Sequence, residues 1–302
     1  MKPHILSRPG AEDHCQPITC TRKLGQVPVA NRPLAVWQRE RAEGALRAHS
    51  SPTRPGLYLY EDAWCSLPVL ERLLEVNGCA AVRDDGGEVL AWTGAETGPP
   101  PSDAPGLGID FESFRIRYPW DLLRVNEILV AALPESRIEG EVSSGCTIEG
   151  KVVVGAGTRL LPGVFIEGNV VIGSNCKIGP NCYLRGHTSI GDDCHIGQAV
   201  EVKNSLIMSG TSIGHLSYCG DSVIGIKVNF GAGTISANLR HDGCDQRSMV
   251  DDQLVDTGRR KLGVIVGDGV HTGIHTSFYP GRKLWPGTAT LPGTVVDRDI
   301  RG

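Results

Sequence analysis

A chain of 302 residues, 40% hydrophobic and 21% charged, can bury one large core or two moderate ones. A net charge of −4 supplies no basic field, which excludes nucleic acid as an expected partner. The 39 glycines beside an aromatic share of 5% point to tight turns and a small-residue interior rather than aromatic layers.

The opening "MKPHILSRPGAEDHCQPITC" has no sustained apolar run and carries Pro3 and Pro9, so neither a secretory leader nor a membrane span is expected. A cytoplasmic location follows as the expectation, with the 10 cysteines as free thiols. "RPLAVWQRERAEGALRAH" predicts an amphipathic helix, "GLYLY" a short strand and "SLPVLERLLEVNG" a second helix. "CAAVRDDGGEVLAW" predicts a hairpin turning at Asp85-Gly86-Gly87, and "TGAETGPPPSDAPG" a linker or long loop. Asp84-Asp85 is either a weak carboxylate pair for Mg²⁺ or a solvated turn. "YPWDLLRVNEILVAAL" predicts a helix with Pro119 in its first turn. This alternation predicts a small α/β domain over 1–116 and a connecting helix over 117–135. "QVPVANRPLAVWQ" and "YPWDLLRVNEIL" resemble segments of sugar-phosphate nucleotidyltransferases. No Gly-rich phosphate loop accompanies them, so the resemblance implies a shortened domain that has lost nucleotidyl transfer.

From Ile148 an aliphatic residue recurs every six positions through Val154, Leu160, Ile166, Ile172, Ile178, Leu184, Ile190 and Ile196 to Val202. A small or β-branched residue follows four positions after each. This is the hexapeptide repeat of a parallel β-helix, three units to a turn of eighteen residues, expected over 136–302. The fold class is therefore mainly β, and likeness to other hexapeptide proteins implies the left-handed form. Cys146, Cys176, Cys182 and Cys194 fall on the small-residue phase and read as packing residues.

After Val202 the inward positions become Ile207, Ile213, Cys219, Ile224, Phe230 and Ile235, and three five-residue steps shorten the turn to seventeen. An insertion, residues 239–262, follows, and the beat resumes less cleanly from Val266. Such insertions project from one corner, where solenoids build binding surfaces. Arg185 and Lys203, eighteen apart, stand on neighbouring turns about 4.8 Å apart. Either an anion lies between two such cations or their tips splay into solvent. His215, two after Ile213, falls beside Ala232, two after Phe230, in the stretch Gly231-Ala232-Gly233. Glu201 is placed to orient that imidazole, with Asn229 and Asn238 nearby.

"VEVKNSLIMSGTSIGHLSYCGDSVIGIKVNFGAGTISANLRHDG", "TGRRKLG" and "YPWDLL" resemble the bifunctional glucosamine-1-phosphate acetyltransferase/UDP-GlcNAc pyrophosphorylase family. The similarity covers about residues 117–300 and is nearest to the archaeal-type sugar-1-phosphate enzymes. It implies His215 as general base and Glu201 as its partner. It also implies Arg185 and Lys203 on the sugar phosphate, with Tyr218, Asn229 and Asn238 gripping the sugar and its phosphate. It further implies acetyl-CoA as co-substrate, with Ala232, Ile274 and Pro292 along its groove. Arg259, Arg260 and Lys261 are implied either on coenzyme A phosphates or in inter-subunit ion pairs of a homotrimer. No metal is implied, and His271 and His275, four apart on a β-helix, do not converge. Two other functions stay open: a nucleotidyltransferase using the first domain, and a non-catalytic sugar-phosphate-binding trimer.

Overall fold

Hexapeptides with one aliphatic residue per unit can bury that residue only by stacking on themselves, and they do so here. The computed structural model describes residues 2–10, 13–49, 56–94 and 98–302. The chain divides into two compact units, one of Met1–Asp13, Lys23–Val27 and Arg32–Arg117, the other of His14–Arg22, Pro28–Asn31 and Tyr118–Gly302.

The second unit is a left-handed parallel β-helix of about nine turns. Its first face pairs eight short strands from Arg137–Ile138 to Lys283–Leu284. Its second face pairs six, from Glu141–Val142 to Asn229–Phe230, and its third pairs eight, from Thr147–Glu149 to Val295–Val296. Register follows the repeat: Ile148, Ile166, Leu184 and Val202 stand opposite one another in steps of eighteen. The step then shortens to seventeen, with Val202 opposite Cys219, Ile196 opposite Ile213 and Ile213 opposite Phe230. Past the insertion the ladder returns to steps of eighteen, Val266 opposite Leu284 and Phe278 opposite Val296. The resumed beat is therefore more regular than the sequence suggested, because backbone pairing holds register where side-chain type varies. The insertion itself forms an antiparallel hairpin of Arg247–Val250 with Gln253–Asp256, closed at its root where Leu239 bridges Lys261.

The aliphatic ladder is the core: Val154, Leu160, Ile166, Ile178 and Ile196 are fully buried. Cys176, Cys182 and Cys194 are buried on the small-residue phase, with Cys182 Sγ donating to Gly197 O at 2.7 Å and Cys176 Sγ to Gly191 O at 3.0 Å. Against the first face packs the helix Pro119–Ala131. Pro119 occupies its first turn, and the Asp121 carboxylate caps it by accepting from Tyr118 N at 2.9 Å. Its buried Asn126 accepts from Ala30 N (3.1 Å) and Ser189 Oγ (2.7 Å) and donates to His187 O (2.6 Å), so no polar atom is sacrificed at that contact.

The first unit is a five-stranded sheet in the order His4–Leu6, Gly56–Tyr60, Val89–Gly94, Ala80–Arg83, Gly106–Gly108, accompanied by the helices Leu34–Ala48 and Leu67–Glu75. The expected hairpin is present, and the Asp84 carboxylate is used within its turn, accepting from Gly86 N (3.0 Å) and Glu88 N (2.9 Å) and pairing with Arg117 (2.9 Å). The expected linker over 93–106 contains residues 95–97, which lie outside the described set, and runs into the edge strand Gly106–Gly108.

Candidate active site

The third face carries the cations. Arg185 stands opposite Lys203 and Lys203 opposite Gly220, on three consecutive turns. The two cations line an open cleft of about 320 Å³ with Glu167, Gly168, Gly186, His187 and Asn204. Their mutual repulsion is offset by carboxylates. Arg185 Nη1 donates to Glu201 at 3.0 Å and its Nε lies 3.4 Å from Glu167, while Lys203 Nζ lies 3.2 Å from Asp221. The Arg185 pKa is raised, chiefly by its hydrogen bond to Glu201.

Around Gly220, Tyr218 and Asn238 come together, whereas Asn229 lies on the second face. Asn238 Nδ2 donates to Tyr218 Oη at 2.9 Å and to Asp221 Oδ2 at 2.6 Å. Burial, followed by the negative fields of Asp221 and Glu201, pushes the Tyr218 phenol up to about 12. Tyr218 Oη accepts from Asn238 and donates to no acceptor among the described residues. The Asn229 side chain is exposed and makes no hydrogen bond among the described residues.

The corner after the second face brings His215 and Ala232 together, as the shortened turn predicted. Gly233 N donates to His215 O at 3.1 Å, fixing the two segments side by side. The His215 imidazole is exposed and makes no hydrogen bond or ion pair among the described residues. Glu201 is engaged by Arg185 and stands opposite Tyr218, so it is not bonded to His215 here. His195 sits close by; burial, then the fields of Lys177 and His215, lower its pKa. Along the same corner Ala232 O accepts from His275 N (2.8 Å) and Ile274 O from Gly293 N (2.8 Å), which stacks Ala232, Ile274 and Pro292 on successive turns. The Ala232 N–H makes no hydrogen bond within the described chain, and Ile274 is 49% exposed.

Of the three insertion cations expected at the site, Arg259 is held by Glu127 of the helix Pro119–Ala131, while Arg260 and Lys261 are exposed. Sequence reasoning missed Asp221, Glu127 and Glu167. Asp221 follows Asn204 by seventeen residues, the local turn length, and that spacing is the one signal the sequence carries for it. No group of three or more His, Cys, Asp or Glu side chains converges to hold a metal among the described residues.

Comparison with known proteins covers Arg185, Glu201, Lys203, His215, Tyr218, Asp221, Asn229, Ala232 and Asn238, and leaves Ile274 and Pro292 beyond the matched family region. Residues 166–273 match a family model described as the GMPPB C-terminal domain. A bifunctional sugar-1-phosphate nucleotidylyltransferase/acetyltransferase of Sulfurisphaera tokodaii is 43% identical over 194 residues, covering 64% of this chain and 48% of the relative. A bifunctional protein GlmU of Methanocaldococcus jannaschii is 41% identical over 186 residues, covering 60% of this chain and 44% of the relative. A GlmU of Methanococcus maripaludis is 48% identical over 185 residues, covering 61% and 44%. The chain spans about half the length of the curated relatives it matches.

Proposed function

We propose that the chain is an N-acetyltransferase that moves the acetyl group of acetyl-CoA onto the amine of an amino-sugar 1-phosphate, with glucosamine 1-phosphate as the first candidate. The observation that carries this reading is the Arg185–Lys203 column beside an exposed imidazole and a free backbone N–H. Arg185 offers a planar fork and Lys203 a point charge to one phosphate. Phosphate at Arg185 competes with Glu201 for the guanidinium, which leaves that carboxylate to accept from His215. Tyr218, Asn229 and Asn238 hold the sugar so that its amine faces His215.

His215 accepts the amine proton as the new C–N bond forms. The Ala232 N–H donates to the oxyanion of the tetrahedral adduct. The C–S bond then breaks, and the proton held by His215 passes to the departing thiolate. Ile274 and Pro292 extend the corner along which the donor lies, with Arg260 and Lys261 as cations for its phosphates. The assembly is a cytoplasmic homotrimer in which the 239–262 insertion approaches a neighbouring subunit.

Thiol release from acetyl-CoA in the presence of glucosamine or galactosamine 1-phosphate tests the reading. His215→Ala is expected to lower turnover by roughly 10²–10⁴-fold, the range for a general base. A wild type with no turnover on any amino-sugar phosphate overturns it. The engagement of Glu201 by Arg185 favours one second reading, a sugar-phosphate binder without turnover. Calorimetry showing sugar-phosphate binding but no acetyl-CoA binding would select it.

A further inference from the structure

We infer that Asp221 is the positioning residue of the phosphate site, setting Lys203 and Asn238 in place from behind the cleft; this inference rests on the function proposed above. Its side chain is only 4% exposed, against 21% for Lys203. Asp221 Oδ2 accepts from Lys203 Nζ at 3.2 Å and from Asn238 Nδ2 at 2.6 Å, and Oδ1 accepts from Asn204 Nδ2 at 2.9 Å. An ionised carboxylate this deep is costly unless its oxygens are fully bonded, and here three side-chain donors satisfy them.

The backbone fixes the carboxylate independently of those donors. Asp221 adopts φ 50° and Asn204, its counterpart one turn back, φ 45°. Asp221 N donates to Lys203 O at 2.8 Å. The network continues outward, because Asn204 Nδ2 also donates to Glu127 Oε1 at 2.7 Å, and Glu127 holds Arg259 of the insertion. A rigid corner residue thus anchors a flexible lysine, whose four-carbon stem otherwise loses rotamer freedom each time a phosphate binds. Asp221 does not line the cleft, whereas Lys203 and Asn204 do, so it acts through them.

Charge and placement make opposite forecasts. Removing a negative charge close to a phosphate dianion strengthens binding by Coulomb attraction, whereas losing the anchor weakens it. The test is calorimetric titration of the full chain with glucosamine 1-phosphate, without acetyl donor, for wild type, Asp221→Asn and Asp221→Glu. Both variants are expected to bind about tenfold or more weakly, the loss of a charge-assisted hydrogen bond. In turnover, the KM for the sugar phosphate is expected to rise by the same factor, with the KM for acetyl-CoA nearly unchanged. An Asp221→Asn variant binding as tightly as wild type, or more tightly, overturns the inference. Asp221→Glu binding like wild type also overturns it, since charge would then suffice without placement. If Asp221→Asn does not fold, the Glu variant decides between the same two outcomes. A wild type that binds no sugar phosphate overturns the proposed function itself, a result separate from wild-type binding with unchanged variants.

Discussion

Gly220 stands next after Lys203 in the column and lies against Tyr218 and Asn238, the two residues proposed to hold the sugar. A Cβ there would lie 2.3 Å from the Tyr218 hydroxyl and 2.8 Å from Asn238 Nδ2. The Tyr218 ring carbon Cζ would also lie 2.6 Å away, and Asn238 is a donor to the buried Asp221 carboxylate, so Gly220→Ala is expected to fold with a loss of about 1–3 kcal/mol. The displaced Tyr218 and Asn238 would then weaken sugar-phosphate binding by about tenfold, which calorimetry beside a thermal melt reads directly. Unchanged affinity in a folded variant would remove Gly220 from the site. At this scale, what could be read from sequence was whatever follows from counting. Arg185 over Lys203 and His215 beside Ala232 are consequences of turn length alone. The aim of a corner side chain is not, because it depends on a left-handed backbone residue whose φ the period does not specify. That is why the Asp221 carboxylate was not legible. Glu201 and Arg185 are strand residues two positions out of register on neighbouring turns, and their pairing was hidden because the period places Cα partners and not the reach of long side chains along the face.

Each turn of the solenoid receives its neighbours from the turns above and below it, and the aliphatic ladder is what joins them. Ile196 is fully buried between Ile178 and Ile213. Ile196→Ala is expected to destabilise by about 2–5 kcal/mol, read as a lower urea midpoint. A loss near zero would mean that the ladder collapses onto the cavity. Strand existence on all three faces was legible because ten aliphatic residues share one phase. The edge strands His4–Leu6 and Gly106–Gly108 of the first unit were not, since three residues between Pro or Gly carry no periodicity. The hairpin within the insertion was hidden for a related reason: its strand Gln253–Asp256 is mostly exposed and lacks a buried alternation.

Across the whole molecule, all ten cysteines are free thiols, and burial dominates the chemistry of the deepest of them. It pushes Cys65 and Cys219 up to about 12 and Cys182 up to about 11. In the unfolded chain these thiols ionise at about 8.5. Between about pH 9 and 11 the unfolded state therefore holds fewer protons than the native one, and stability falls as pH rises. The urea midpoint is expected to drop from about pH 7.5 to about pH 10.5, with a smaller drop in Cys219→Ala; a midpoint independent of pH would show that the native thiols ionise as freely as unfolded ones. The chain divides into two units, and the second takes in His14–Arg22 and Pro28–Asn31, which no repeat marks. The constant spacing of turns has one more consequence. Stacked strands about 4.8 Å apart make the solenoid a graduated scale, on which Arg185 to Gly220 is two divisions and Ala232 to Pro292 is two more. Ligand length along that axis is measured in whole turns, so adding or deleting one turn resizes a site by one division, whereas the one-residue shortening of the turns after Ile196 is absorbed at the corners and leaves the later inward residues in line.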